Sequence, residues 1–152
     1  MSSATDGSSR PEQALDVRLV VDTIPALVWS SHADGSVDFV NQRWREYTGL
    51  SPEESYGRGW ETAIHPDDLT TLAEKWEAVD DANAGWACEV RLRRSDGVFQ
   101  WFSFRCEPFR DETGAVTLWY GTGIDIDHAK QKATLHAAEK WMIFASSFPR
   151  SE

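Results

Sequence analysis

Residues 86–126 carry three runs rich in β-branched and aromatic side chains, "WACEVRLRR", "VFQWFSFRCEPF" and "AVTLWYGTGIDI", parted only by "SDG" and "RDETG". Connections this short join antiparallel neighbours, because a parallel crossover needs a dozen or more residues. The chain is therefore committed to an antiparallel meander. In the first run Cys88, Val90 and Leu92 share one face and Glu89, Arg91 and Arg93 the other. The second run puts Phe99 and Trp101 on one face and Phe102 and Phe104 on the opposite one. A strand apolar on both faces needs cover on both, and the candidates for the outer cover are an N-terminal helix or a second subunit.

The rest of the chain supplies the other layer. Residues 1–10 are small, polar and Ser-rich, which predicts a disordered tail. Residues 11–24 have a proline start, an acidic first turn and Leu15, Leu19 and Val20 at helical spacing, which predicts an amphipathic helix. Around the Asp34-Gly35 turn, Leu27–Ser31 and Ser36–Val40 predict a hairpin. Asn41 is placed to cap a two-turn helix carrying Trp44 and Tyr47 and ending at Gly49. Residues 50–64 lack a sustained period and read as short helical turns. A longer helix follows, with Leu69, Leu72, Trp76 and Val79 on one face, closed by Asn83 and Gly85. Residues 128–145 predict an exit helix with Leu135, Ala138, Met142 and Ala145 in a seam, before a tail over 146–152.

Charge and composition remove several classes of function. A length of 152 residues fits one domain, and 15 basic against 25 acidic residues give a formal charge of -10, which repels nucleic-acid and anionic-lipid phosphates. The basic word "RLRR" alternates with the strand and reads as a solvated face. No window reaches the roughly 18–20 apolar residues of a membrane span, and residues 1–10 lack a signal core, so a cytoplasmic location is expected. Cys88 and Cys106 read as reduced core residues. No Gly-Lys-Ser/Thr phosphate loop and no Gly-x-Ser-x-Gly elbow is present, so the expectation is a protein without catalytic machinery.

The words "IPALVW", "FVNQRWREYTGLSPEE", "GRGWETAIHPDDL", "EVRLRRSDGVFQWF" and "GTGIDID" occur in order over residues 24–127. Together they resemble the PAS domain. The resemblance implies an α+β fold over residues 25–127: a five-stranded antiparallel sheet with short helices and one longer helix on one face, flanked by amphipathic helices. It also implies a sensory or docking module that regulates an output such as a histidine kinase, with a cavity that holds a small molecule or nothing. A homodimer through the flanking helices is the expected assembly.

"HPDD" is the most catalytic-looking cluster in the chain. One reading makes His65 a helix cap, Pro66 the first helical residue, and Asp67 and Asp68 partners of the helix dipole. The other makes it a metal site, but no further His or Cys lies at a supporting spacing. Some PAS domains hold haem through a histidine; His32, His128 and His136 read as solvent-facing, which leaves His65 as a weak haem candidate. The flavin-binding subgroup carries an Asn-Cys-Arg word where this chain has "GRGWETA", which argues against a flavin adduct.

The aromatic candidates for the cavity are Trp29, Phe39, Trp44, Tyr47, Trp60, Trp76, Phe102 and Phe104 with Val90, and the polar ones are Asn41, Arg58 and Thr122. The alternative is that the same rings fill the core. In "GTGIDID", Asp125 matches the family's Asp-x-Thr word and Asp127 replaces the threonine. Asp127 is expected to cap the exit helix but, unable to donate as a hydroxyl does, to make either a weaker tie to it or one held by Lys130, and the pair Asp125 and Asp127 is expected to carry the signal. Two functions stay open: a ligand sensor that relays its state through the exit helix, and a ligand-free module that docks a partner.

Overall fold

The computed structural model describes residues 17–79 and 85–146. Helix α1 (Val17–Thr23) leads into strands β1 (Leu27–His32) and β2 (Val37–Val40). Next come α2 (Gln42–Thr48), α3 (Pro52–Ser55), a 3-10 turn (Gly59–Ala63) and α4 (Pro66–Glu77). Strands β3 (Trp86–Arg93), β4 (Phe99–Arg110) and β5 (Val116–Asp125) precede the exit helix α5 (Asp127–Ser146). The five strands form one antiparallel sheet in the order β2-β1-β5-β4-β3. Asn83 and the expected helix over 11–16 lie outside the described residues, and Val79 lies beyond the end of α4.

Local chemistry sets the boundaries. Asn41, fully buried, accepts from the backbone N–H groups of Val28 and Trp44 and donates to the carbonyls of Val21 and Ala26. One side chain thus caps α2 and fastens it to β1 and α1, satisfying every polar atom it buries. Gly49 ends α2 at φ +74°, a left-handed conformation that costs glycine little. Ser51 and Glu54 form a reciprocal capping box on α3.

The inner face of the sheet meets α2 and α4 in a core of Leu27, Trp29, Val40, Trp44, Leu72, Val90, Leu92, Phe102 and Phe104. Of the two covers expected for the outer face, the N-terminal helix, as far as it is described, lies elsewhere. Helix α1 packs at the start of α2, where the Asp22 carboxylate accepts the Gln42 N–H at 2.7 Å, and not across the sheet. The first turns of α5 lie there instead, over Trp101. Beyond them α5 is exposed, with Leu135 at 64 % and Met142 at 68 %. Its apolar residues Met142, Ile143 and Phe144 run around the helix, so they form no single stripe. No helix among the described residues is long and apolar enough to cross a membrane.

Candidate functional site

Between α4, the 3-10 turn and the inner sheet lies a cavity of about 750 Å³, within the usual range for small-molecule sites. Tryptophan dominates its wall. Trp29 comes from β1, Trp44 from α2, Trp60 from the 3-10 turn, Trp76 from α4 and Trp86 from β3, with Phe104, Cys106 and Leu72 between them. Trp29 meets the Phe104 ring at 4.8 Å and Trp44 at 6.5 Å, and Trp76 stands edge-on to Trp119 at 5.1 Å. Gly121 makes room for this packing, because a Cβ there would lie 2.2 Å from the Trp29 ring.

The polar groups of the wall are unevenly satisfied. The Trp44 indole donates to Ser55 Oγ at 2.9 Å. The indole N–H groups of Trp60 and Trp86 are buried and have no hydrogen-bond partner, and they are the two such side-chain atoms among the described residues. At the rim the Asp34 carboxylate accepts from the Ser36 N–H and hydroxyl, and Arg58 pairs with Glu61 at 2.9 Å. Burial pushes the Cys106 thiol up to about 12, so this part of the wall is neutral at physiological pH.

Six of the expected cavity residues are there: Trp29, Trp44, Arg58, Trp60, Trp76 and Phe104. The other six are not, each for a physical reason. Tyr47 and Phe102 meet edge to face at 4.9 Å beside fully buried Val90 and fill the other half of the core, with the Tyr47 hydroxyl donating to Gln100 Oε1. Asn41 spends its amide on the α2 cap. Phe39 faces outward because a bulge pairs Ser30 with Phe39 and Ser31 with Val37, breaking the two-residue alternation. Thr122 pairs with Val28 and Arg105 on the outer face, while its inward neighbours are Gly121 and Gly123. Trp86 and Cys106 were missed, although each keeps the parity of inward residues two positions away, Cys88 and Phe104.

"HPDD" does two jobs. The His65 Nδ1 accepts the Asp67 N–H at 3.1 Å and caps α4, with Pro66 at its first position and Asp67 exposed. Asp68 is turned away from the dipole role. It is buried and takes three hydrogen bonds from Arg91: the backbone N–H at 2.7 Å, Nε at 3.0 Å and Nη2 at 3.0 Å. Burial alone raises this carboxyl, but the hydrogen bonds and charge of Arg91 outweigh it and hold it below the usual range.

Arg91 in turn lies over the Trp101 ring at 4.9 Å, and Lys130 of α5 covers the same ring at 4.6 Å while pairing with Glu89 at 2.6 Å. The Trp101 backbone N–H donates to Asp127 Oδ1 at 3.1 Å, and its carbonyl accepts the Ile126 N–H at 2.9 Å. The helix N–H group is capped by Asp125, whose carboxylate accepts the Asp127 N–H at 2.8 Å. The expected roles are therefore corrected: Asp125 caps α5, Asp127 ties it to β4, and Lys130 holds Glu89 instead of Asp127. A short helix-to-strand tie and an aromatic ring in contact with two cations join the cavity helix α4 to the exit helix α5.

The PAS fold family model matches residues 37–123. The chain belongs to the PAS-fold family. Among its relatives, the peroxide stress-activated histidine kinase mak1 of Schizosaccharomyces pombe is 32% identical over 115 residues, covering 75% of this chain and 7% of that one. An uncharacterized protein, y4lL, of Sinorhizobium fredii is 33% identical over 114 residues, covering 75% and 14%. This PAS domain thus spans a small part of the length of the curated relatives it matches. A solved sensory box histidine kinase/response regulator from Burkholderia thailandensis superposes with a TM-score of 0.64 at 18% identity, covering 85% of this chain and 98% of that one, which is agreement in fold. The PAS domain here is homologous to the sensor regions of histidine kinases.

Proposed function

We propose that this PAS domain is a sensory module without chemistry of its own, which takes up a small molecule in the tryptophan-lined cavity and passes its occupancy to an output domain through α5. The observation that carries this reading is the cavity itself, about 750 Å³ walled by the rings of Trp29, Trp44, Trp60, Trp76 and Trp86. Rings that merely filled a core would leave no space of this size between them.

The relay runs from α4, which lends Leu69, Leu72 and Trp76 to the cavity, through Asp68 and Arg91 to Trp101, and from Trp101 to Lys130 and Asp127 of α5. It works as a population shift, which needs a ligand with different affinities for two arrangements of α4 and α5. Dimerisation through α5 would present that shift to a kinase, the output that the name of the fission-yeast relative supplies. The exposed outer residues Phe109, Tyr120 and Ile124, at 57, 46 and 55 %, favour a second reading in which the sheet docks a partner.

Native mass spectrometry of freshly purified protein is the test. A small bound mass is expected, lost on denaturation, and hydrogen exchange near residues 127–133 should differ between loaded and stripped protein. Empty protein from its native source, with no change in α5, would sink the sensory reading and leave docking.

A further inference from the structure

We infer that the cavity takes an organic cation of the alkylated ammonium class, with its positive charge among the tryptophan rings and balanced by carboxylates of the rim. The inference rests on the sensory reading above and names the chemistry of its ligand. Five of the chain's eight tryptophans stand in one wall. The nitrogens of Trp60 and Trp86 are buried and that of Trp44 is spent on Ser55, so what these three rings turn to the cavity is carbon. The rings are also inclined to one another, Trp29 at 61° to Trp44 and 54° to Phe104. A point edge-on to two inclined rings lies on the single line where their planes cross, so most of the space beside them lies toward a ring face. Those faces carry partial negative charge and attract cations.

The charged side chains of the lining have the matching sign. Three carboxylates, Asp34, Glu61 and Glu77, stand against one guanidinium, Arg58, whose side chain is 83 % exposed and paired with Glu61 at 2.9 Å. Both bonds that Asp34 accepts from Ser36 go to Oδ1, and Oδ2 carries no hydrogen bond among the described residues. The Ser36 bonds hold this carboxyl below the usual carboxylate range, so it is charged at neutral pH. A Cβ at Gly35 would stand 2.8 Å from the Trp76 ring, which places the turn bearing Asp34 against that ring, and Glu77 follows Trp76 on α4. Ring carbon and uncompensated negative charge therefore meet at one end of the cavity. An anion would face that charge without a free cation in the lining, and the formal charge of -10 on the whole chain adds to the repulsion. A bare ammonium needs a partner for each of its three N–H groups, which a wall of ring carbon does not supply. Alkyl groups on the nitrogen remove that need and pack against the rings.

The probes are 3-hydroxyphenyltrimethylammonium and its neutral isostere 3-tert-butylphenol, titrated calorimetrically into the intact protein at pH 7. The cation is expected to bind about tenfold or more tighter than the isostere, and added salt should weaken the cation alone. Its N-methyl protons should move upfield and show nuclear Overhauser contacts to the ring protons of Trp76. Trp76→Phe and Asp34→Asn should each lower the cation's advantage over the isostere by roughly threefold or more. If a variant fails to fold, the comparison of the two probes on the wild-type protein still decides. Binding of the isostere as tight as that of the cation overturns the inference and leaves a sensor for neutral apolar ligands. Cation binding without contacts to the tryptophans of the cavity overturns it in favour of attraction to the acidic surface. Failure of both probes to bind overturns it too; a neutral mass in the native spectrum would then leave the sensory reading standing, and an empty one would remove that reading as well.

Discussion

Asp68→Asn removes one charge and leaves the shape of the side chain nearly unchanged. The carboxylate accepts three hydrogen bonds from Arg91, two of them from the guanidinium, and its side chain is 10 % exposed. An asparagine keeps one acceptor oxygen and turns an NH2 group toward a guanidinium, so at least one charge-assisted bond is lost and a donor faces a donor. Hydrogen bonds to charged groups contribute about 1.5–3 kcal/mol, and the partial exposure of Arg91 reduces that through solvent screening. The expected loss is about 2 kcal/mol at pH 7, which moves the urea midpoint by about 1 M for a slope of about 2 kcal/mol per M. The loss should depend on pH in one direction. The folded carboxyl titrates below its ordinary value of 3.8, so its stabilisation is present in full above that value and disappears as pH falls through the lower folded one. Equilibrium urea unfolding followed by tryptophan fluorescence, at pH 7 and at lower pH, measures both effects. A midpoint unchanged at pH 7, or a gap between wild type and variant that persists undiminished at pH 3, would refute the role assigned to this pair.

Gly121→Ala should destabilise the fold by about 1–3 kcal/mol, because its Cβ would stand 2.2 Å from the Trp29 ring and force that ring toward the cavity; calorimetry and the Trp29 indole resonance would register it, and an unshifted melting temperature would count against the packing. Cys106 and Cys88 should resist thiol reagents at pH 8, since burial pushes their thiols up to about 12 and about 11. Labelling with Ellman's reagent should be slow for the native protein and rapid in urea, and fast native labelling of Cys106 would contradict its place in the wall.

Much of this fold is written in short-range terms. Asn41, Ser51, His65 and Gly49 mark helix ends by side-chain capping or by a left-handed φ, and those devices act within four residues of themselves. The meander follows from turns too short for any other connection. The cavity was half legible, because inward parity along a strand can be counted but the division of the inner face cannot. Tyr47, Val90 and Phe102 face inward yet fill one half, and that division depends on how α2 and α4 lie across the sheet. Phe39 was misplaced because nothing in "VDFV" announces that Asp38 is an extra residue, bulged between the partners of Ser30 and Ser31. The Asp68 tie was hidden for another reason. An aspartate in a first helical turn already has a sufficient local explanation in the dipole, and its partner Arg91 is 23 residues away on an edge strand.

That tie bears on how a cavity on one face of a sheet can influence a helix on the other. Among the described contacts, α4 crosses to the outer face through Asp68, which grips the backbone and side chain of Arg91 at once. Arg91 therefore moves with α4 and cannot adjust independently, while its planar head lies on the Trp101 ring. Trp101 is equally constrained on the far side, where its backbone N–H and carbonyl bind Asp127 and Ile126 and its ring lies under Lys130. A displacement of α4 by a ligand against Leu72 or Trp76 then has two outcomes. Either Trp101 and its two cations shift as a unit and carry the start of α5 with them, or one of these contacts breaks. Both are discrete rearrangements of packed groups, which is the physical requirement for coupling between two sites. The replacement of the family's threonine by Asp127 fits this arrangement, since a carboxylate can accept the Trp101 N–H through one oxygen and Gln131 of α5 through the other, at 3.1 and 2.8 Å. A hydroxyl offers a single oxygen for both, whereas Asp127 meets β4 and the first turns of the exit helix with one oxygen each.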